Sequence, residues 1–336
     1  HQIGLSTIDM DLILMGVSGL VRKLKTANCD ELNKVVNDFS KVKDPVAVEI
    51  LIRALQNENP AVRSLVSVIL GKVGGSKAVD ALTLKLKDKE SSVRQSAVYA
   101  LGLIESAKAT LALIEALDDY FSEDLAVRIL SNRKDPNLIH LLTSALKEKT
   151  KHNDQFVRSS IVNVLGALKD QKSVDSLISL LRELSGDQKD IILWKALDVL
   201  GDIGDTKAVE AIIDTINNKA NTITTRKHAA SALGKLKSAN AKNALMAIFK
   251  NKNDHEEVRS AAVRALGSFS HPKLWDEVLV FVGDSNNDKW VRIEAIKNLG
   301  AWGDPKAEEV LTKLSKGDDI GLQLAALEAL RQIKNN

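Results

Sequence analysis

The stretch Ser91-Ser-Val-Arg-Gln-Ser-Ala-Val-Tyr-Ala-Leu-Gly102 decides the fold. Val93, Ala97, Ala100, Leu101 and the following Ile104 recur at intervals of three and four, so they share one face of a helix. The stretch then returns in register. Val62-Arg63 leads to Leu70-Gly71, Val157-Arg158 to Leu165-Gly166, Thr225-Arg226 to Leu233-Gly234, Val258-Arg259 to Leu266-Gly267, and Val291-Arg292 to Leu299-Gly300. Leu200-Gly201 keeps the ending, with Ile192-Leu193 in the Val-Arg place. The residue closing each copy serves as a ruler: Ser40, Gly71, Gly102, Ser131, Gly166, Gly201, Gly234, Gly267, Gly300 and Arg331 mark ten units of 29 to 35 residues. A period of this size points to stacked supersecondary units, each too small to bury its apolar face alone.

Ahead of each copy lies a second apolar stretch with helical spacing, such as Ala78-Val-Asp-Ala-Leu-Thr-Leu-Lys-Leu86 or Ala208-Val-Glu-Ala-Ile-Ile-Asp-Thr-Ile216. Each unit therefore reads as helix A, turn, helix B, turn. Pro45, Pro136 and Pro305 follow aspartates, and Pro272 follows His271; each is expected to open a helix A. Pro60 follows Asn59 and opens a helix B. Gly74, Gly204 and Gly303 lie just past helix B, where left-handed caps are expected. No alternating strand pattern occurs, so the fold class is all-α.

Glycine inside a helix costs roughly 1 kcal/mol against alanine, yet seven of the ten ruler positions carry it. The expected reason is that the backbone of the next unit packs there. Arg331 breaks the series in the last unit, and 305–336 is expected to be a capping repeat. A second row is Arg63, Arg94, Arg158, Arg226, Arg259 and Arg292. The A–B turns beside it are acidic and asparagine-rich, as in Asn253-Asp-His-Glu-Glu257 and Asp284-Ser-Asn-Asn-Asp288. Arg–Asp or Arg–backbone bonds between units are expected. Treated as exposed pairs they would each contribute about 0–1 kcal/mol, setting register more than stability. A phosphate-binding row is the alternative.

Bulk composition narrows the function. The 336 residues carry a formal charge of +3, too small by itself for a nucleic-acid footprint, and 4% aromatics, too few for a ring-lined cofactor pocket. Cys29 is the one cysteine, which excludes an intramolecular disulfide and any multi-cysteine metal site. With no Asn-X-Ser/Thr sequon, a cytoplasmic location is expected. No apolar run is long enough to cross a membrane. Units 1–44 and 107–135 are irregular. The first has Leu32 and Ser40 at the arginine and glycine places and an apolar stretch from Ile8 to Val17; the second has Glu123 and Ser131 there.

Paired helices with Asp-Pro starts, a Val-Arg in helix B and a Leu-Gly near its end resemble HEAT repeats, in particular the HEAT-like repeats of phycobilin lyases. The resemblance covers nearly the whole chain and is clearest over 46–106 and 136–334. It implies a right-handed α-solenoid of about ten helix-pair repeats, read here as a single domain over 1–336 with eight repeats in 45–304. It also implies A helices on the convex side, B helices on the concave side, and binding more often than catalysis.

With Val93, Ala97 and Leu101 in the core, residues three and seven before each ruler residue point into the groove. A solvated face should hold few aromatics. Tyr99 and Trp194 stand on it, and Trp290 stands ten before its glycine, beside Arg128, Lys227, Arg264 and Lys297. Large aromatics flanked by cations are the composition of interface hot spots. These seven residues are the candidate contacts, and the expected partner is another protein, a peptide or domain with acidic and apolar groups. Asp198 and Glu294 lie among the cations, so nucleic acid fits less well than protein. A nucleic-acid-binding or alkylpurine-glycosylase-like solenoid, the latter using Trp194 and Asp198, is the runner-up, and a phycobilin lyase or chaperone role the third reading. No catalytic, cofactor or metal site is expected. Gly71-Lys-Val-Gly-Gly-Ser76 lacks P-loop spacing and a preceding strand. A di-iron site of the deoxyhypusine hydroxylase kind needs several His-Glu pairs, and the chain has only His255-Glu256.

Overall fold

The computed structural model describes residues 36–37, 45–151, 155–184, 186, 190–269 and 272–335. The expectations for the first unit, including its apolar Ile8 to Val17 stretch, lie outside these residues. The described residues hold eighteen α-helices and no strand. They fall into two compact units, 1–168 and 169–336. The N-terminal unit contains α1 Pro45–Ala54, α2 Pro60–Val73, α3 Ser76–Lys85, α4 Ser91–Gly102, α5 Ala107–Glu115, α6 Glu123–Ser131, α7 Leu138–Lys151 and α8 Gln155–Leu168. The C-terminal unit contains α9 Val174–Leu184, α10 Asp190–Ile203, α11 Val209–Asn217, α12 Ile223–Leu236, α13 Ala239–Lys250, α14 Glu256–Leu266, α15 Pro272–Gly283, α16 Lys289–Trp302, α17 Glu308–Leu314 and α18 Ile320–Asn335. Odd-numbered helices are A and even-numbered ones B. No described helix is long and apolar enough to cross a membrane.

The helix starts follow from capping. The Asn59 side chain accepts from the Ala61 N–H with Pro60 behind it, and Asp288 accepts from the N–H groups of Trp290 and Val291. Pro305 opens a 3-10 turn ahead of α17, and Pro136 lies two residues before α7. Past helix B, Gly303 is left-handed (φ 72°, ψ 25°), whereas Gly74 combines φ 76° with an extended ψ of −164°. Lys237 occupies the place of Gly303 in its own repeat and is also left-handed, at φ 51°. An L side chain there is strained, so Lys237→Gly should raise stability by about 1 kcal/mol. A thermal melt that moves down would reverse that reading.

Within each unit the B helices pack closely on one another and the A helices form a looser second layer. The B layer is thus the inner face. Its core positions are fully buried in repeat after repeat: Val62, Val66 and Leu70; Val93, Ala97 and Leu101; Val258, Ala262 and Leu266. The ruler glycines explain the close approach. A Cβ on Gly71 would lie 2.6 Å from Ala100 Cα, and one on Gly300 2.7 Å from Ala329 Cα. Gly201 meets Ala232 and Gly234 meets Ala265 in the same way. The partner always stands two residues before the next ruler position. Gly102 and Gly267 differ from expectation, because they meet side chains, those of Ile129 and Asn298, instead of backbone.

Five of the six arginines in the row are buried and Arg94 is half-buried, which corrects the surface-pair energetics. Arg63, Arg158, Arg226, Arg259 and Arg292 are all buried. Two kinds of contact recur along the row, and Arg226 makes both. Three arginines cap the end of helix A of their own repeat: Arg226 Nε donates to Ile216 O (2.6 Å), Arg259 Nε to Phe249 O (3.1 Å) and Arg292 Nη2 to Val282 O (2.9 Å). Three reach the A–B turn of the next repeat. Arg63 grips Asp88 with Nε and Nη2 (2.9 and 2.8 Å), Arg94 grips Asp119 (2.9 and 3.2 Å), and Arg226 grips Asp254 (2.8 and 2.6 Å). These bidentate pairs leave no room for a phosphate at the guanidinium fork.

Candidate functional site

The inner face of the C-terminal unit holds a depression of about 400 Å³ between α12, α14 and α16. Four of the seven candidate contacts line it: Lys227 from α12, Arg264 from α14, and Trp290 and Lys297 from α16. Their spacing of about one repeat brings them together, because each sits on a B helix at a position that core packing leaves facing inward. Trp290 is 58% exposed and forms one wall, with Lys289 Nζ 5.3 Å from its ring centre. Its register place, ten before the ruler residue, is Glu257 in the preceding repeat.

The cations are not bare. Lys227 Nζ pairs with Glu257 (2.7 Å), and Arg264 Nε (3.1 Å) and Lys297 Nζ (2.8 Å) share Glu294. Burial pushes the Glu294 carboxyl up, but hydrogen bonds from Arg264 and Lys297 outweigh it and hold the group below the usual carboxylate range. Two cations on one carboxylate leave one positive charge over at that spot. A neighbouring depression of about 340 Å³ between α12 and α14 shares Lys227 and Arg264 as its rim.

Trp194 stands apart from this cluster. It is half-buried on α10, its Nε1 donates to Thr225 Oγ1 (3.1 Å), and its ring stacks on His228 at 5.6 Å and 4°. His228 Nδ1 lies 3.0 Å from Asp198 Oδ1. Thr225 replaces the valine found in other repeats, and its hydroxyl gives the indole a partner, so Trp194 belongs to an inter-repeat contact. Trp275 and Trp302 stack at 5.7 Å, and Trp302 Nε1 donates to Gly267 O (3.1 Å). Tyr99 and Arg128 are exposed on α4 and α6 of the N-terminal unit. Among the described residues, no group of three or more His, Cys, Asp or Glu could hold a metal ion.

One column is hard to see in the sequence. Counting ten back from the eight ruler residues between Gly71 and Gly300 gives Ala61, Ser92, Phe121, Phe156, Ile191, Thr224, Glu257 and Trp290. All eight are exposed, and three are aromatic. Following the register at three and seven residues passes over this column.

The model for HEAT repeats matches residues 48–125, 179–267 and 251–331, well over half of the chain. The chain belongs to the HEAT-repeat family. None of the curated proteins matches it. Among solved structures, this HEAT-repeat chain is similar to the karyopherin Kap121p bound to the SUMO protease Ulp1p, at 14% identity and a TM-score of 0.62, covering 97% of this chain and 41% of that one. It is also similar to Kap121p bound to Pho4p, at 12% identity and a TM-score of 0.60, covering 99% and 44%. The chain thus spans less than half the length of these karyopherins, and at such identities the likeness concerns the fold. Human deoxyhypusine hydroxylase matches at 17% identity and a TM-score of 0.34, covering 77% and 97%.

Proposed function

We propose that this HEAT-repeat protein is a non-catalytic scaffold that binds another protein on the inner face of its B helices. The observation that carries the reading is Trp290: a large indole held in solvent at the wall of a depression whose other sides are ion-paired. Exposed aromatics ringed by polar groups are what binding hot spots require, whereas a solvated helix face gains nothing from them. The surplus positive charge over Arg264, Lys297 and Glu294 favours a partner segment with a carboxylate next to an apolar side chain. The karyopherin structures, which hold protein partners on a related fold, support the class of function. Because Lys227, Arg264 and Lys297 are each tied to a carboxylate, a polyphosphate would have to displace those carboxylates, which disfavours nucleic acid. The single cysteine and missing sequons support a cytoplasmic setting.

The test is affinity purification of the chain from nuclease-treated lysate, followed by titration of the recovered protein. Trp290→Ala should weaken binding at least about tenfold while the melting temperature stays put, since the exposed ring leaves no cavity. Lys227→Glu should weaken it too, with moderate salt dependence. Unchanged affinity in Trp290→Ala, or recovery of nucleic acid alone, would remove the basis for this site.

A further inference from the structure

The N-terminal unit carries a second unusual surface, at the turn between α5 and α6. The A–B turns elsewhere are polar, but here the sequence runs Asp118-Asp-Tyr-Phe-Ser122. Tyr120 is 78% exposed and Phe121 58%. The two rings meet edge to face at 5.6 Å and 85°. Gln95 Nε2 donates to Phe121 O (2.7 Å), which fixes the turn beside the inner face of α4. Ser160 Oγ of α8 donates to Glu123 Oε1 (2.6 Å), tying α8 to the start of α6, and the exposed Phe156 of α8 holds the register place of Phe121 one repeat on.

The charge around these rings has one sign. Between 115 and 124 there are five carboxylates and no lysine or arginine. Asp119 is taken by Arg94, and Glu123 accepts from Ser160. Glu115, Asp118 and Asp124 are exposed and have no ion-pair partner among the described residues. Asp124 has a structural reason, since it sits in the first turn of α6. Glu115 and Asp118 have none, because they sit at the end of α5 and its 3-10 extension, the wrong end of the helix dipole for an anion. One internal contact shows what these rings accept: the Arg94 guanidinium lies 5.6 Å from the centre of the Phe121 ring.

We infer that this edge docks a basic segment of a partner protein. Its lysine or arginine side chains would lie on the Tyr120 ring and pair with Glu115 and Asp118, and an apolar neighbour would cover Phe156. Nucleic acid is the wrong sign for this edge. The inference does not rest on the Trp290 site, which lies in the other unit and favours the opposite charge.

The experiment uses the full chain and a fluorescein-labelled peptide, acetyl-Arg-Leu-Arg-Arg-Leu-Arg-amide, with anisotropy read at physiological salt. Tyr120→Ala should weaken binding about fivefold, and so should Glu115→Gln with Asp118→Asn. Tyr120→Phe, which keeps the ring, and Trp290→Ala, in the other unit, should leave it within a factor of about two. All these side chains are exposed, and circular dichroism checks the fold. Three results would each overturn the inference: no binding of the peptide; equal binding of a version with glutamate for arginine; or loss in the charge variants with none in Tyr120→Ala, which would mean diffuse electrostatics alone.

Discussion

Asp254→Ala is expected to destabilise the C-terminal unit by about 3–5 kcal/mol, more than any surface substitution in the chain. The Asp254 side chain is only 1% exposed and receives Arg226 on both oxygens, with Lys219 Nζ at 2.5 Å as a third donor. Removing it leaves the buried Arg226 guanidinium with its bond to Ile216 O and no counter-charge. Replacing both partners, as in Arg226→Met with Asp254→Leu, should cost far less, because no orphaned charge remains. Urea unfolding of the single and double variants measures the difference; equal losses would mean the pair contributes through packing. The pH dependence follows. Burial raises the Asp254 carboxyl, but the bonds from Arg226, Lys219 and the His255 N–H dominate and hold it far below the usual range. A carboxylate depressed in the folded state binds its proton more weakly there than in the unfolded chain. Its stabilisation is therefore complete above the unfolded value of about 4 and is lost as pH falls below it. Asp254→Asn should flatten that acid limb.

Gly71→Val should cost about 3 kcal/mol or more. A Cβ at 2.6 Å from Ala100 Cα and 2.7 Å from its carbonyl oxygen meets backbone, which cannot turn aside as a side chain can. Even Gly71→Ala should destabilise, although alanine is the better helix former by roughly 1 kcal/mol. Gly283 gives the opposite sign. It is helical and exposed, and a methyl group added there would meet nothing within 4 Å, so Gly283→Ala should be neutral or gain up to about 1 kcal/mol. If both glycines respond alike to alanine in a thermal melt, helix propensity and not inter-repeat clearance governs the ruler positions.

These cases show what could be read from residues alone. The glycine ruler was legible because its cause, a missing Cβ under a neighbouring helix, recurs at fixed period. The depth of the arginine row was not, since Arg63 or Arg226 looks like any surface cation until the turn of the next repeat closes over it. The cations Lys227, Arg264 and Lys297 are conspicuous in the sequence, but their neutralisation is not. Lys227 finds Glu257 and Arg264 finds Glu294, each thirty residues on. Matching charges at the repeat period, instead of within one helix, would have revealed both. Trp194 and Trp290 looked equivalent in sequence, and only the hydroxyl of Thr225, in a place where valine is usual, separates them. Tyr120 and Phe121 are easily passed over because their unit looks degenerate, although an irregular repeat is where a periodic scaffold can carry something of its own.

The arginine–aspartate links also give the array a direction. Each guanidinium is supplied by one repeat and each carboxylate by the one after it, so Arg63 waits for Asp88 and Arg226 for Asp254. A chain emerging from the ribosome exposes the arginine of a pair first and must hold it, unneutralised, until some twenty-five to thirty further residues have been made. Consolidation of each repeat is thereby timed by the synthesis of its successor. A cut made from the carboxyl side leaves an arginine without its carboxylate, whereas a cut from the amino side leaves an aspartate without its guanidinium.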